Sequence, residues 1–257
     1  MTLLETKNLT RAFGGVVAVN NVDFQCEKGE VTGLIGPNGA GKTTFFNNIT
    51  GLDKPTCGRV IFDGEDITGL PPYRIARKGI ARTFQNIRLF KELTVIENVL
   101  IGLHFKLGGN PRFVAGMRSF LFMGKEREEM VERAYRALDF LGMSDKANEL
   151  AKNLPYGHQR ELEIARALAS DPKLIFLDEP AAGMNPNETA SLVGLIRRIK
   201  DKGISIVLIE HDMKLVMTIC DSIVVLNYGN KIASGTPEQV RSNPLVIRAY
   251  LGGEGND

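Results

Sequence analysis

Residues 36–43 read GPNGAGKT, between the apolar run Val31–Ile35 and a helical pattern that extends from Lys42 to about Thr50. The stretch matches G-x-x-x-x-G-K-[ST] between a strand and a helix, the context that a phosphate-binding loop requires. Its glycines allow successive N–H groups to face a phosphate, and the helix N-terminus adds positive potential. We expect a nucleotide site formed by Gly36, Pro37, Asn38, Gly39, Ala40, Gly41, Lys42, Thr43 and Thr44.

A second motif, at residues 174–179, is a run of four apolar residues that ends in two carboxylates. The run predicts a buried strand, and open α/β sheets bind ligands at the carboxyl ends of their strands. Asp178 is then placed to hold a Mg²⁺ ion together with the Thr43 hydroxyl, because Mg²⁺ prefers oxygen ligands. Glu179 would polarise a water molecule beside the terminal phosphate.

The rest of the chain alternates between strand and helix patterns. Two strands joined by a turn at Gly14-Gly15 are predicted in the first 30 residues, followed by a strand over 80–84 and a mainly helical insertion over about 90–160. Beyond Pro172 we predict strands at 174–177, 204–209 and 222–226, with helices at 190–200 and 213–220. This alternation predicts an α/β fold with a mainly parallel core sheet.

Composition excludes several classes of protein. The 257 residues are 43% apolar and 24% charged, which permits a full core and excludes intrinsic disorder. The net charge of +2 is too balanced to predict binding to nucleic acid. The longest apolar runs are strand-sized, so we expect no spanning helix, and Glu5 interrupts the stretch that a signal peptide would need. The cysteines Cys26, Cys57 and Cys220 are predicted to be small core residues in a reducing compartment.

Further motifs, in the expected order, resemble those of the ATP-binding cassette (ABC) family, the ATPase subunits of ABC transporters. The resemblance covers essentially the whole chain. Its motifs are the A-loop aromatic at Phe13, the Q-loop at Phe84-Gln85, the signature motif at 154–160, the D-loop at 182–185 and the H-loop at 210–212.

The resemblance implies a P-loop NTPase with a mainly parallel core sheet, an N-terminal antiparallel β part and a helical subdomain. It places the nucleotide-binding core at 1–90 and 161–257 and the helical signature subdomain at 91–160, within one ABC domain of about 4–252. ATP and Mg²⁺ are the implied substrate and cofactor. The implied site residues are Glu179, His211 and Gln85 for catalysis, Gln85 also for Mg²⁺, Phe13 for stacking on adenine, and Gly157, His158 and Gln159 for contact with the nucleotide of the opposite subunit.

The signature motif departs from the family pattern. Pro155 stands where the family has serine, Tyr156 where it has glycine, and His158 where it has glutamine. Proline offers neither a hydroxyl nor an N–H group. We therefore expect a remodelled contact, made by the backbone N–H groups of Gly157 and His158 and by the helix end.

Within the family, the chain is similar to the ATPase subunit of branched-chain amino-acid importers. The similarity rests on residues 82–86, 93–102 and 248–252 and on the Leu-Pro-Tyr-Gly form of the signature. It implies a location at the cytoplasmic face of the inner or plasma membrane. It also implies a homo- or heterodimer with a second ABC ATPase subunit, two integral membrane permease subunits, an indirect solute-binding protein outside the membrane, and no nucleic acid.

Other functions stay open at the level of sequence. An ABC ATPase that drives export of lipid or lipopolysaccharide has a cassette of similar size. A soluble ABC protein acting on nucleic acid or ribosomes usually has two cassettes, long coiled coils or zinc-binding cysteines, and this sequence has none of these. A GTPase would need N-K-x-D, whereas the Asn230-Lys231 pair is followed by Ile-Ala. The apolar stretch 113–123 is either core or a docking patch.

Overall fold

A computed structural model describes residues 1–103 and 124–251 of the chain. The strands are β1 (Thr2–Phe13), β2 (Val16–Glu27), β3 (Val31–Ile35), β4 (Cys57–Phe62), β5 (Glu65–Asp66), β6 (Ile80–Arg82), β7 (Leu174–Asp178), β8 (Ser205–Ile209), β9 (Ser222–Asn227) and β10 (Asn230–Gly235). The helices are α1 (Lys42–Ile49), α2 (Pro72–Arg77), α3 (Val95–Leu103), α4 (Gly124–Leu141), α5 (Tyr156–Leu168), α6 (Pro186–Asp201), α7 (Met213–Ile219), α8 (Pro237–Arg241) and α9 (Pro244–Leu251).

Within the described residues, the strands form two sheets. The four-stranded antiparallel sheet has the order β2-β1-β4-β5. The six-stranded sheet has the order β10-β9-β3-β8-β7-β6 and is parallel except for β10, which runs antiparallel to β9. Ile209 pairs with Leu34 on one side and with Asp178 on the other, so β3, β8 and β7 end at the same edge of the sheet.

The core explains why β3, β7 and β8 are buried at every position. Alternate residues of a strand face opposite sides of the sheet. Leu34 and Phe176 pack with α1 and the antiparallel sheet, whereas Ile35 and Ile175 pack with α6 and α7 on the other side. Both faces of the parallel sheet are therefore covered.

A third hydrophobic cluster joins α3, α4 and α5 and is separate from the sheet. Helix α5 belongs to two clusters, because Leu162 and Ala165 pack with α3 and α4 while Ile164 and Leu168 pack against the parallel sheet. This helix is consequently the main physical link between the helical part and the sheet.

The predicted fold class is confirmed, since a mainly parallel core sheet, an N-terminal antiparallel sheet and a helical part are all present. Two predicted boundaries were wrong. The strand predicted to reach residue 84 ends at Arg82, and the helix predicted from residue 190 begins at Pro186, where Asn185 and Glu188 form a capping box. The prediction for Cys57 is also wrong: Cys26 and Cys220 are buried, but Cys57 is exposed at the start of β4.

One other expectation, the role of the stretch 113–123, lies outside the described residues. Among the helices that the structure describes, none combines the length and the apolar character needed to cross a membrane.

Candidate nucleotide site

The loop at residues 36–43 leaves the carboxyl end of β3 and leads directly into α1. Gly41 precedes this helix with a φ of 97°, and no side chain caps the first turn. Uncapped N–H groups of a first turn carry the positive end of the helix dipole. The arrangement suits a phosphate group at this position.

Lys42 extends back over the loop. Its Nζ donates hydrogen bonds to the carbonyl oxygens of Gly36 at 2.7 Å and Pro37 at 2.9 Å. Burial lowers the pKa of Lys42, and the negative charges of Glu179 and Asp178 oppose that shift. An ammonium group is thus fixed above the loop and close to two carboxylates.

Two of the loop glycines touch neighbouring backbone. A Cβ atom would lie 2.1 Å from the carbonyl oxygen of Leu226 if placed on Gly36, and 2.2 Å from that of Ala18 if placed on Gly41. Only glycine fits at such distances, so these residues fix the loop against β9 and β2. Of the other predicted loop residues, Ala40 is buried, Pro37 and Thr44 are half-buried, and Asn38, Gly39 and Thr43 are exposed.

Asp178 ends β7 and is 5% exposed. Arg82, at the end of β6, donates from Nη2 to its Oδ2 at 3.0 Å. The same guanidinium donates from Nη1 to Asn47 and Thr50, at 2.8 and 2.9 Å. Burial raises the pKa of Asp178, and the ion pair with Arg82 opposes that rise. Arg82 therefore joins β6, β7 and the end of α1 around this carboxylate.

Glu179 lies next to Asp178 but faces different partners. Its φ of 46° is in the left-handed region, which residues with a Cβ atom rarely adopt. Gln85 donates from Nε2 to Glu179 Oε2 at 2.8 Å, and His211 Nδ1 lies 3.8 Å from the same oxygen. Three separate segments of the chain thus meet at one carboxylate.

Glu210 is a buried carboxylate that holds the backbone around this site. It accepts hydrogen bonds from the N–H groups of Ala181 at 2.9 Å and His211 at 3.1 Å. Burial raises its pKa, and these N–H donors oppose the rise. Glu210 fixes the turn after Glu179 and the turn that carries His211.

Phe13 ends β1 with 45% of its surface exposed, and the Arg11 guanidinium carbon lies 4.2 Å from its ring centroid. The hairpin that carries Phe13 is joined to the loop region through Gly229, which accepts from Asn20 N–H at 2.8 Å and donates to the Ala40 carbonyl at 3.1 Å. One face of the Phe13 ring is covered by Arg11.

The signature residues lie elsewhere. Pro155 precedes α5, and no side chain caps this helix. His158 Nδ1 lies 2.8 Å from Glu161, and Gln159 donates to the Leu154 carbonyl at 2.9 Å. Among the hydrogen bonds of the residues described, none joins 157–159 to the loop at 36–43 or to Glu179. The structure gathers the loop, Asp178, Glu179, Gln85 and His211 at one edge of the sheet, but not the signature.

Some site residues were not singled out from the sequence. Arg82 and Glu210 stand at strand ends next to predicted site residues, and this position is the signal that could have identified them. Arg160 and Glu163 are spaced three residues apart, which places them on one face of α5. The Tyr156 contact with Ala182 leaves no comparable signal in the sequence.

Two family models match the chain. The one described as ABC transporter matches residues 19–182, and the one described as branched-chain amino acid ATP-binding cassette transporter matches residues 230–256. Full-length relatives agree. The high-affinity branched-chain amino acid transport ATP-binding protein BraF of Pseudomonas aeruginosa is 52% identical, covering 97% of this chain and 98% of that protein. The corresponding protein LivG of Escherichia coli is 49% identical with the same coverage.

Solved structures are similar as well. The ADP conformation of an ATP-binding cassette of an ABC transporter superposes with a TM-score of 0.86 at 39% identity, covering 98% of this chain and 99% of that one. A dimeric cassette in a post-hydrolysis state, bound to ADP and phosphate, gives a TM-score of 0.73 at 27% identity, covering 91% and 99% of the two chains.

Proposed function

The chain belongs to the ABC transporter family of ATPases, and from this premise we propose that it energises the import of branched-chain amino acids across the inner or plasma membrane. Binding and hydrolysis of ATP, coupled to transport, follow from membership of the family. The substrate class rests on one observation, the near full-length similarity to branched-chain amino acid transport ATP-binding proteins at 52% and 49% identity.

In this proposal the loop from Gly36 to Thr44 holds the phosphates of ATP. The uncapped N-terminus of α1 supplies N–H donors and positive potential, and Lys42 supplies a full positive charge. Lys42 already lies where two carbonyl oxygens and two carboxylates attract it, so no large movement is needed to meet a phosphate. Phe13 would stack on adenine with the ring face that Arg11 leaves open.

Three side chains that follow or end strands of the parallel sheet have the chemistry to hold Mg²⁺. A Thr43 hydroxyl, a Gln85 amide oxygen and an Asp178 carboxylate are hard oxygen donors of the kind that this ion prefers. No group of three or more His, Cys, Asp or Glu side chains in the described part of the chain is arranged to hold a metal. Thr43, Gln85 and Asp178 would hold the ion, which would offset the negative charge that develops on the phosphate oxygens of ATP.

Glu179 is the proposed base or water-orienting group for hydrolysis. Its carboxylate is half-buried, and Gln85 and His211 both approach Oε2. An attacking water held there would lose a proton toward Glu179, while Gln85 and His211 orient the water and the terminal phosphate. The left-handed backbone of Glu179 supports this role, because strained residues concentrate at active sites.

We propose that the working form is a dimer of two ABC ATPase subunits on two permease subunits, at the cytoplasmic face of the membrane. Gly157, His158 and Gln159 would meet the nucleotide of the opposite subunit through the uncapped end of α5. A solute-binding protein outside the membrane would deliver the amino acid, and nucleic acid has no part in the process.

We also propose a division of the chain into a nucleotide-binding core and a helical subdomain. Residues 1–90 and 161–257 form the nucleotide-binding core, residues 91–160 the helical signature subdomain, and the two make one ABC domain of about 4–252. The separate hydrophobic cluster of α3, α4 and α5 supports this division. The boundary at 160 falls inside α5, which packs on both sides.

Two variants test the proposed function in proteoliposomes that contain the assembled transporter, with uptake of labelled leucine and release of phosphate as the two measurements. We expect Lys42→Ala to lose ATP binding, because it removes a positive charge from the phosphates. We expect Glu179→Gln to retain ATP binding but to lose at least about a hundredfold in turnover, because it removes only the carboxylate.

Lys54→Ala and Glu128→Gln, which change exposed charges, serve as matched controls and should leave both measurements unchanged. Near-normal turnover in Glu179→Gln would contradict the catalytic assignment. ATP-dependent transport of another solute, with no uptake of leucine, isoleucine or valine, would contradict the substrate class.

A further inference from the structure

Helix α5 contains a buried ion pair that the proposed chemistry does not use. The side chains of Arg160 and Glu163 are 0% and 1% exposed, and Arg160 Nη1 lies 3.0 Å from Glu163 Oε2. Burial raises the pKa of Glu163, and the positive charge of Arg160 opposes that rise. Since buried ion pairs seldom stabilise a fold more than apolar residues of the same volume would, this pair calls for a role beyond stability.

The remaining hydrogen bonds of the pair go to a single backbone segment. Arg160 donates from Nη1 to the carbonyl of Phe84 and from Nη2 to the carbonyl of Gln85, both at 2.7 Å. Glu163 Oε1 accepts from the N–H groups of Phe84 and Arg88, both at 3.4 Å. The segment lies beyond the end of β6 and has no helix or strand of its own, so the ion pair supplies its partners.

The segment carries Gln85, whose side chain reaches Glu179 at 2.8 Å. Arg160 binds the backbone carbonyl of Gln85, and Glu179 binds its side-chain amide. The position of Gln85 therefore depends on both contacts. The helix that holds Arg160 also begins with the signature residues. A movement of α5 would therefore shift Gln85 relative to Glu179.

We propose that Arg160, held by Glu163, is a positioning residue for hydrolysis. It fixes the backbone of Gln85 so that the Gln85 side chain meets Glu179. Because Arg160 lies on the signature helix α5, a movement of that helix changes the contact between Gln85 and Glu179. Within the described part of the chain, Arg160 forms no hydrogen bond with Glu179 or with the loop at 36–43. The inference rests on the proposed function of Gln85 and Glu179.

A double-mutant cycle tests the proposal in the assembled transporter, with Arg160→Lys, Gln85→Ala and the combination of the two. A lysine ammonium is a point charge and does not reproduce the paired donors of a guanidinium. We expect Arg160→Lys to lower kcat for ATP by about tenfold, with KM changed less than about twofold, because the ground-state contacts with ATP are untouched. In the Gln85→Ala background, the same change should lower kcat no further.

A second variant separates positioning from folding. Arg160→Met together with Glu163→Met removes both charges and keeps the volume. It also removes the partners of the Phe84 and Gln85 carbonyls and of Arg166 Nη2, which lies 3.7 Å from Glu163 Oε1, so turnover is measured well below the thermal midpoint of this variant. We expect this variant to lose kcat as Arg160→Lys does, and its amides at Phe84 and Arg88 to exchange hydrogen faster. Arg198→Lys is the matched control, since Arg198 donates to the Phe140 carbonyl at 3.0 Å on the surface.

Each result decides the matter. Loss of kcat that vanishes in the Gln85→Ala background supports the proposal. Additive losses, or a double-methionine variant with wild-type turnover, overturn it while leaving the proposed function intact. Full turnover in Gln85→Ala alone overturns both this inference and the catalytic assignment of Gln85, whereas the role of Glu179 is judged separately by Glu179→Gln.

Discussion

Asp178 and Glu179 are neighbours in the chain but lie in opposite environments. Asp178 is buried at the end of a strand and paired with Arg82. Glu179 adopts a left-handed backbone, so its side chain turns to Gln85 and His211 instead. Different surroundings allow two carboxylates to serve two roles, one as a fixed charge and one in proton transfer.

Only part of this arrangement was predictable from single residues. An acidic pair that ends an apolar run predicts carboxylates at the edge of a sheet, and the structure places them there. The partner of Asp178 was not predictable, because Arg82 is 96 residues away in sequence and the contact depends on the order of β6 and β7. The backbone conformation of Glu179 has no signature in composition or periodicity.

Asp63 offers a test of electrostatics away from the site. Its carboxylate lies 2.8 Å from Lys28 Nζ and 2.6 Å from Lys173 Nζ, so it connects the end of β2 with the start of β7. These contacts, with Lys173 first and Lys28 second, lower the pKa of Asp63 to about 2. Its φ of 48° suits asparagine equally well, so Asp63→Asn changes the charge without straining the backbone.

We expect Asp63→Asn to lower the thermal midpoint at pH 7 by about 1–4 °C, as partly exposed ion pairs contribute little. Because the pKa of Asp63 is lower in the folded state, its carboxylate stabilises the fold at pH values above its ordinary pKa of about 3.9. This contribution is lost as the pH falls through about 2. The difference from the wild type should therefore be constant from pH 7 to 5 and shrink below about pH 4. Circular dichroism checks this, with Asp201→Asn as control. A difference that grows with acid would contradict the assignment.

At the level of elements, the buried strands of the parallel sheet were predictable, whereas β4, β5 and β10 were not. β3, β7, β8 and β9 are mostly apolar, because both faces of the parallel sheet are covered. β4, β5 and β10 were not predicted, because they expose polar residues that resemble loop composition. Cys57 is exposed at the start of β4.

The unusual signature sequence contacts the D-loop segment within the same chain. Tyr156 donates from its hydroxyl to the Ala182 carbonyl at 2.9 Å, and its ring packs on Gly183. Ala182 N–H in turn donates to the carbonyl of Glu179 at 3.2 Å. The tyrosine that replaces the family's glycine thus joins the start of α5 to the turn after Glu179.

Because the signature residues pack within their own chain, substitutions among them do not report on the dimer alone. A Cβ atom on Gly157 would lie 2.9 Å from Glu188 Oε1, and Glu188 completes the capping box of α6. Replacing Gly157 by aspartate would place a second carboxylate against Glu188 in the same chain. Loss of activity in Gly157→Asp is therefore no proof of a nucleotide contact across the dimer, and a change at Tyr156 is more specific.

We expect Tyr156→Phe to keep ATP affinity and to lower kcat of the assembled transporter by about threefold, because it frees the turn after Glu179 without touching the phosphate site. The thermal midpoint should fall by about 1–4 °C, the effect of losing one hydrogen bond. Phosphate release and thermal unfolding are the measurements, with the exposed Tyr135→Phe as control. Wild-type values for both would show that the Tyr156 hydroxyl contributes nothing.

The whole molecule brings the groups of the proposed nucleotide site together from distant parts of the sequence. The loop at 36–43, Gln85, Glu179 and His211 meet because β3, β6, β7 and β8 end at one edge of the sheet. The start of α5, which no side chain caps, is not part of this group of strand ends. Its residues lie against α6 and the D-loop segment instead. One chain therefore presents a phosphate site and, separately, a helix end suited to a phosphate.

These two features predict that ATP drives head-to-tail association of two chains, each closing the site of the other. The dimeric cassette bound to ADP and phosphate is a structural precedent in the family. Glu179→Gln should accumulate the dimer, because it binds ATP and hydrolyses it slowly. Light scattering should give the 28.3 kDa of one chain without nucleotide and twice that mass with ATP and Mg²⁺.

Two comparisons make the result specific. Lys42→Ala in the same background should remain at 28.3 kDa with ATP, because its loop no longer holds the phosphates that the partner's helix end must meet. Wild-type turnover per chain should rise with protein concentration and level off once dimers predominate, since a site completed by a second chain is a second-order assembly. Two results would contradict this prediction: a Glu179→Gln chain that stays monomeric in saturating ATP, or a wild-type rate per chain that does not depend on protein concentration. Either result would mean that each chain completes its own site, and the signature helix would then need another role.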